Sequence, residues 1–164
     1  MNKHKSLKQL LHGAIPGIAA NPEKLQMFVD EGGPITQPSP SLYFEQRYRL
    51  NIVLLEFTGD LNLVFVPLLA WIHAHQPDLI ERRDRGGKPF EWKADVLDGD
   101  AFDLSIDIEL SERVKVERRP NGGFEVTYLP EPEREDPFGG PHPWTLFGRD
   151  IVAGSEERLH GPEV

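Results

Sequence analysis

The sequence predicts an α+β fold in which a mixed or antiparallel sheet of about four to five strands packs against one buried helix and an N-terminal helix. Three patterns predict it. Aromatic and β-branched residues crowd Leu42–Phe57, a nearly continuous apolar run follows at Leu61–Ile72, and apolar and polar residues alternate strictly over Phe102–Ser111. Alternation with a period of two is typical of a half-buried strand, and an apolar run of this kind favours a buried helix.

Composition divides the chain into two parts. Residues 1–130 are expected to form a single α+β domain, and 164 residues are enough to bury a core. Residues 131–164 are rich in Pro and Gly and acidic, with no persistent helical or strand period. They nevertheless contain spaced aromatic residues, among them Trp144 and Phe147, which a disordered tail rarely has. We expect an extended arm that docks on its own domain or on a neighbouring subunit.

The first predicted element is a short amphipathic helix over residues 3–15. Its apolar residues recur at a spacing of three and four, and Lys3, Lys5 and Lys8 lie opposite them. The basic face is interpreted either as a solvated surface or as a contact with an acidic partner. Residues 25–29 then fit either a strand or a single helical turn, followed by a break at residues 32–34.

A single long strand is predicted over Leu42–Phe57. Its first half carries Glu45, Arg47 and Arg49 on one face, which makes them candidates for contact with another subunit. Its second half, Ile52–Leu55, is apolar on both faces and is expected to be covered on both sides.

The buried helix is expected to begin after Asp60, a plausible N-cap, and to end before Pro77. Pro67 either kinks this helix or starts a second helical stretch. Residues 80–88 read as a charged loop, and residues 90–97 as a short strand with Trp92 and Ala94 on one face.

The clearest strand pattern lies at residues 102–111, where one face is apolar and the other carries Asp103, Asp107 and Glu109. The pattern continues over residues 114–119 after a possible bulge. Pro120-Asn121-Gly122-Gly123 predicts a hairpin that returns through a partner strand at residues 124–128.

Composition excludes several classes of function. The chain has no cysteine, so disulfides and cysteine-ligated metal sites are impossible. The net charge of −9 gives no general attraction for nucleic acid. The apolar stretch of about 12 residues is shorter than the ~20 that a membrane span needs. We therefore expect a cytoplasmic, soluble protein without a membrane segment.

The search for catalytic chemistry yields no active site. His73 and His75 are two residues apart, so on a helix they point to nearly opposite sides and cannot share a metal ion. The row formed by Asp103, Asp107 and Glu109 is better explained as a solvated strand face than as paired catalytic carboxylates. No phosphate-binding or nucleophile motif is present. We predict no catalytic, cofactor-binding or metal-binding residue and no enzyme; the remaining enzymatic alternative is a metal-dependent one that uses both histidines with nearby carboxylates.

A string of residues supplies a specific resemblance. The string comprises Leu42-Tyr43-Phe44-Glu45-Gln46-Arg47-Tyr48-Arg49-Leu50-Asn51, Phe57-Thr58-Gly59-Asp60, Leu63-Val64-Phe65-Val66-Pro67-Leu68-Leu69-Ala70-Trp71-Ile72 and His75-Gln76-Pro77-Asp78-Leu79. It resembles the phage tail completion protein R (GpR) family of temperate contractile-tailed phages. The resemblance covers roughly residues 5–130 and is strongest at residues 42–79, and it carries no catalytic motif.

The resemblance implies a structural virion protein, similar in role to tail terminators, at the head-proximal end of the tail. It implies a homo-oligomeric ring, commonly hexameric, that stops polymerisation of tube and sheath and offers a surface to the head-neck connector. Assembly would occur in the bacterial host cytoplasm. Alternatives within the same class are another neck, baseplate or sheath-associated factor, or a part of a phage-tail-like bacteriocin. The acidic face of Asp103, Asp107 and Glu109 is a candidate lining for a lumen through which DNA passes without specific binding.

Overall fold

The computed structural model describes residues 1–36, 38, 41–82, 84 and 86–132, together with the backbone of residues 147–150 and 155–158. The described helices are α1 (Lys3–Ala14), α2 (Asn62–His75) and α3 (Asp78–Glu81), with a short 3-10 helix at Pro22–Lys24. The strands are β1 (Leu25–Thr36), β2 (Leu42–Phe57), β3 (Glu91–Val96), β4 (Phe102–Arg118), β5 (Phe124–Leu129), β6 (Phe147–Asp150) and β7 (Ser155–Arg158). The α+β class is confirmed.

The main sheet has five strands and all of its pairings are antiparallel. The order is β1-β2-β4-β3, and β5 pairs with β4 further along the same outer side that β3 occupies. The central pair, β2 and β4, is in register from Leu42 opposite Val116 to Leu54 opposite Leu104. The bulge that the sequence suggested after Ser111 is absent from this ladder, since β4 runs unbroken through it.

The core lies on one face of the sheet. Alternate residues of β2 and β4, from Leu50 to Leu54 and from Leu104 to Leu110, are buried beneath α1 and α2. Because side chains alternate across a strand, the residues between them point to the opposite face, which we call the open face. A two-layer arrangement of helices over one side of a sheet is the result.

Helix α2 is continuous through Pro67, so a second helical stretch does not begin there. Pro67 has no N–H to donate to the carbonyl of Leu63, so one helical hydrogen bond is missing, but Pro67 is buried and the helix continues on both sides of it. The N-cap of α2 is Leu61 and not Asp60 as predicted, but Asp60 lies one residue earlier: its carboxylate accepts the N–H of Asn62 at 2.7 Å, and its carbonyl accepts that of Leu63. The charged loop predicted over residues 80–88 begins inside the short helix α3, which extends to Glu81.

Strand β1 passes straight through residues 32–34, where the sequence predicted a break. Strand β1 tolerates Pro34 because it lies at the edge of the sheet, where no neighbouring strand on the outer side needs the missing N–H. A glycine is required at position 32 because the backbone there lies against Tyr48: a Cβ at this position would be 3.0 Å from the Cβ of Tyr48. The irregularity in β1 falls instead between Val29 and Glu31, as a register shift.

The expectation that Ile52–Leu55 is covered on both sides is wrong for the described residues. Val53 and Leu55 lie on the open face and stay partly exposed, because both described main helices pack on the other side. Within the predicted arm, the described segments β6 and β7 pair as a two-stranded antiparallel sheet. No helix in the described ranges is long and apolar enough to cross a membrane.

Candidate assembly surface

The open face brings together six of the residues that the sequence singled out. Glu45, Arg47 and Arg49 project from β2, and Asp103, Asp107 and Glu109 project from β4. Arg49 lies directly opposite Glu109, and Glu31 of β1 lies directly opposite Arg49. The two sets predicted for different roles therefore occupy one continuous surface.

Opposite charges alternate across this surface. Glu31 and Arg49 approach to 4.0 Å, and Glu109 and Arg82 to 3.8 Å, so that one row crosses β1, β2, β4 and the end of α3. These side chains are between one third and three quarters exposed, and each such pair contributes ~0–1 kcal/mol. The row therefore contributes little to folding.

Arg47 and Glu45 form a bidentate ion pair on the open face. Both guanidinium contacts are short, Nε to Oε1 at 3.1 Å and Nη2 to Oε2 at 3.2 Å. These hydrogen bonds from Arg47 lower the pKa of the Glu45 carboxyl, against the opposing effect of its partial burial. The pair therefore stays ionised below neutral pH and holds a fixed dipole at the surface.

The acidic residues of β4 have contacts within the chain. Asn51 donates to Asp107 at 3.0 Å, and Asp103 accepts the backbone N–H of Glu56 at 2.8 Å. Glu56 sits at the bulge in β2 with a left-handed φ of 49°, so Asp103 stabilises that bulge. Asp103 and Asp107, which were predicted to lie on a solvated strand face, therefore also stabilise the fold through these hydrogen bonds.

The lysines of α1 divide into two groups. Lys3 is largely covered, and its ammonium group contacts Gln76 at 2.7 Å and Glu131 at 2.8 Å. Lys5 and Lys8 are exposed. Lys3 therefore ties the two ends of the domain together, and the interface role expected for Lys5 and Lys8 stays a prediction.

Two predicted interface residues fall on the arm. Trp144 lies outside the described residues. Phe147 begins β6, and its side chain is likewise outside the description. Their assignment to an interface stays a prediction.

A buried polar network was missed by the sequence reasoning. Glu112 is only 5% exposed; it accepts the hydroxyl of Tyr48 at 2.7 Å and the backbone N–H groups of Asn2 and Lys3 at the start of α1. A signal was present, because Glu112 occupies the apolar phase of the alternation that runs through Leu104 to Leu110. A carboxylate in that phase marks a point where the sheet meets something that donates hydrogen bonds.

Gln76 forms the second part of this network. Its side chain bonds both the backbone N–H and the hydroxyl of Ser111, each at 3.1 Å. Ser111 lies on β4 between the stretch paired with β3 and the stretch paired with β5. Gln76 therefore fills the gap along the outer side of β4 and joins the helix layer to the sheet.

The described residues contain no cluster of three or more His, Asp or Glu side chains that could hold a metal ion. The ring of His75 packs on Trp71 with 4.9 Å between centroids, and His73 lies two residues earlier on the same helix. A cleft of about 410 Å³ opens beside the charged row, lined by Arg47, Arg49 and Arg82 together with acidic residues. Its mixed charges fit a protein surface better than a catalytic centre.

Comparison with known proteins gives one family and one curated relative. The family model for the P2 phage tail completion protein R (GpR) matches residues 1–132. Tail completion protein R of Escherichia phage P2 is 37% identical over 141 residues, covering 86% of this chain and 90% of the relative. No solved structure matches significantly.

Proposed function

The chain belongs to the P2 phage tail completion protein R (GpR) family, and from this premise we propose that it is a structural protein that completes a contractile phage tail. It would form a ring of identical copies at the head-proximal end of the tail. The ring would stop the polymerisation of the tail tube or sheath and present a surface to the head-neck connector. No catalytic step is part of this function.

The open face is the observation that carries the proposal. One whole side of a five-stranded sheet has no described covering layer, yet it bears the charged row and an apolar patch of Phe28, Val53 and Leu55. Phe28 is half exposed, although its ring is large enough to anchor an interface. A polar surface with a small apolar centre matches the anatomy of a protein–protein interface.

The two ends of the open face support different contacts. Around Arg47 and Arg49 the charges are mixed, which suits contact with another protein. Around Asp103 and Asp107 they are mainly acidic, with Asp95 of β3 opposite Asp103. We place the acidic end toward the lumen of the ring, where it would repel passing DNA.

Tails made without this protein provide the main test. Electron microscopy of particles from a phage lacking this gene should show tails of irregular length that fail to join heads. Light scattering on the purified protein, alone and with the tube protein, should show several copies per particle. Tails of regulated length that join heads normally would contradict the completion role.

Charge reversal separates the open face from the rest of the surface. Arg49→Glu should leave the fold intact and impair tail completion, because it places three acidic side chains in one row. Arg119→Glu is the matched control, since Arg119 is paired with Glu125 at 3.4 Å beyond the end of β4. Equal phage yields from both variants would argue against the open face as the contact surface.

The lumen assignment has its own test. The double variant Asp103→Asn, Asp107→Asn keeps side-chain size and the ability to accept hydrogen bonds while removing two charges. Tails carrying it should assemble but release DNA more slowly, and the effect should shrink at high salt because screening weakens charge effects. Unchanged release at low salt would rule out a lumen-facing acidic row.

A further inference from the structure

We propose that neighbouring copies of this chain join edge to edge, with β3 of one copy pairing antiparallel with β1 of the next. The sheets of an assembly would then form one continuous sheet. This inference rests on the proposed function, because it names the contact that joins copies within the ring.

Strand β3 is an open edge. Within the described part of the chain it pairs with β4 alone, and all six of its residues are exposed. Val96 is 82% exposed and Trp92 47%, which is unusual for such apolar residues. The strand carries no proline and its ladder with β4 has no register shift, so it lacks two common protections against pairing.

The backbone groups of β3 are phased toward a partner. The N–H of Leu97 donates to the carbonyl of Ala101 at 2.9 Å, in the same register that pairs Val96 with Phe102. Hydrogen-bonded and non-hydrogen-bonded pairs alternate along an antiparallel ladder. It follows that Trp92, Ala94 and Val96 direct their N–H and carbonyl groups away from β4, toward the open edge.

Strand β1 is the opposite edge, and its first part is matched to β3. Leu25–Val29 runs regularly for five residues before the register shift that follows Val29. Beyond the shift, Pro34 removes a donor from the edge, so this first part is the section suited to pairing. It also lies level with β3, because Met27, Ile52, Ile106 and Trp92 form one row straight across the sheet.

The direction of the strands makes the sheet self-propagating. Every neighbour in the order β1-β2-β4-β3 is antiparallel, so β1 and β3 run in opposite directions. A second copy in the same orientation therefore presents its β1 antiparallel to β3. Its helices lie on the same side, and its Met27 and Val29 continue the apolar face of Trp92 and Ala94.

The occupant of the β3 edge is thus a second copy of the chain, since length, direction and apolar face all match. The contact joins two different surfaces, and a head-to-tail contact of that kind closes into a ring when the rotation allows. Pairing of β3 with β3 of another copy would instead make a closed dimer. The open edge of β5 is the competing site for β1, so both alternatives enter the test.

Engineered cysteines test the pairing, and the absence of native cysteine makes the readout clean. Gln26 and Lys93 lie level on the open face at the two edges, and both are exposed. The double variant Gln26→Cys, Lys93→Cys, oxidised in assembled tails, should give a ladder of covalent multimers on non-reducing gels. Each single variant carries one thiol and should stay monomeric on the gel. A covalent dimer from Lys93→Cys alone would indicate β3–β3 pairing, and multimers from Gln26→Cys with Glu125→Cys would indicate pairing with β5; either result overturns the proposal.

A backbone substitution gives an independent readout. Ala94→Pro removes an outward N–H without breaking a bond to β4, so the domain should keep its circular dichroism and melting temperature. Association between copies should weaken about tenfold, because one hydrogen bond between the copies is lost and the pyrrolidine ring of the introduced proline obstructs the strand edge. Ala94→Ser is the matched control and should assemble normally. Normal assembly of Ala94→Pro would overturn the proposal.

These outcomes are distinct from failure of the proposed function. If copies associate and tails are completed, but the cysteine pair gives no covalent ladder and Ala94→Pro assembles normally, the edge pairing is wrong and the completion role stands. If tails form and join heads without this protein, the completion role itself is wrong.

Discussion

Glu112 determines how the N-terminal helix meets the sheet. Its carboxylate accepts the hydroxyl of Tyr48 and the first backbone N–H groups of α1, so one buried charge satisfies three donors from two elements. Burial of the phenol, together with this contact to Glu112, raises the pKa of Tyr48, which therefore remains a hydrogen-bond donor at neutral pH.

Glu112→Ala should destabilise the domain by about 2–4 kcal/mol, because Tyr48 and the start of α1 lose a charged acceptor inside the protein. Urea unfolding followed by fluorescence measures the change. Glu117→Ala is the control on the same strand: its partner is Lys115 at the surface, and the expected change is within ~0.5 kcal/mol. Equal effects of the two substitutions would contradict the assignment.

His4 predicts a pH dependence of stability. Burial lowers its pKa below 6.5, and the nearby α-amino group adds to the effect. Below pH 6.5 the unfolded chain therefore binds more protons at His4 than the folded chain does. The free energy of unfolding is highest, as far as His4 is concerned, above pH 6.5, and it falls as the pH drops toward the pKa of His4 in the folded protein. His4→Gln should make the fall in stability below pH 6.5 shallower than in the wild type, as urea unfolding across this range would measure. Parallel curves would contradict it.

At the scale of elements, the passage of β1 over β2 depends on Gly32 and not on Gly33. A Cβ on Gly32 would meet Tyr48 at 3.0 Å and the carbonyl of Arg47 at 3.1 Å, whereas a Cβ on Gly33 would meet nothing within 4 Å. Gly32→Ala should therefore cost about 1–3 kcal/mol, and Gly33→Ala should be neutral or slightly stabilising. Thermal unfolding of the pair checks this, and a reversed order would show that β1 lies elsewhere.

Helix α2 is held mainly by one side of its surface. Trp71 is 3% exposed and its indole N–H donates to Ser6 at 3.1 Å, whereas Leu69 is 38% exposed. Trp71→Ala should cost about 3–5 kcal/mol and Leu69→Ala well under half of that, because only the first leaves a cavity. Denaturant midpoints measure both.

Element type was predictable from local pattern, and the covering of faces was not. The alternation at residues 102–111 and the apolar run at residues 61–72 predicted β4 and α2, because periodicity is a local property. The apolar Ile52–Leu55 run suggested two covered faces, yet the helices lie on one side. Which face a layer covers depends on the connections between elements, and periodicity does not encode them.

The candidate site was predictable to a similar degree. Arg47 and Glu109 were identified as surface residues from their strand phase alone. Their location in one surface follows from the antiparallel pairing of β2 with β4, which neither segment specifies alone. The hydrogen bonds of Gln76 could not be predicted for the same reason, because its partner Ser111 is 35 residues away in the sequence.

At the scale of the whole molecule, the described residues that pack into the core all lie within residues 1–132. The core cluster, the five-stranded sheet and the Glu112 network all lie in this range. Deleting residues 137–164 should therefore leave a soluble domain with a cooperative unfolding transition and a melting temperature within a few degrees of the full chain. Aggregation of the truncated protein would show that the arm belongs to the domain.

The anchoring of α1 has a consequence for the nascent chain. The helix and the two residues before it are synthesised first, yet their hydrogen-bond partners include Gln76, Glu112, Tyr128 and Glu131. Until these residues leave the ribosome, Leu7 and Leu11 have no sheet to cover, and contacts so distant in sequence form slowly. Docking of the N-terminal helix therefore waits for translation of the domain to finish. A chain that ends before Glu112 would therefore lack the acceptor for the first N–H groups at the start of α1.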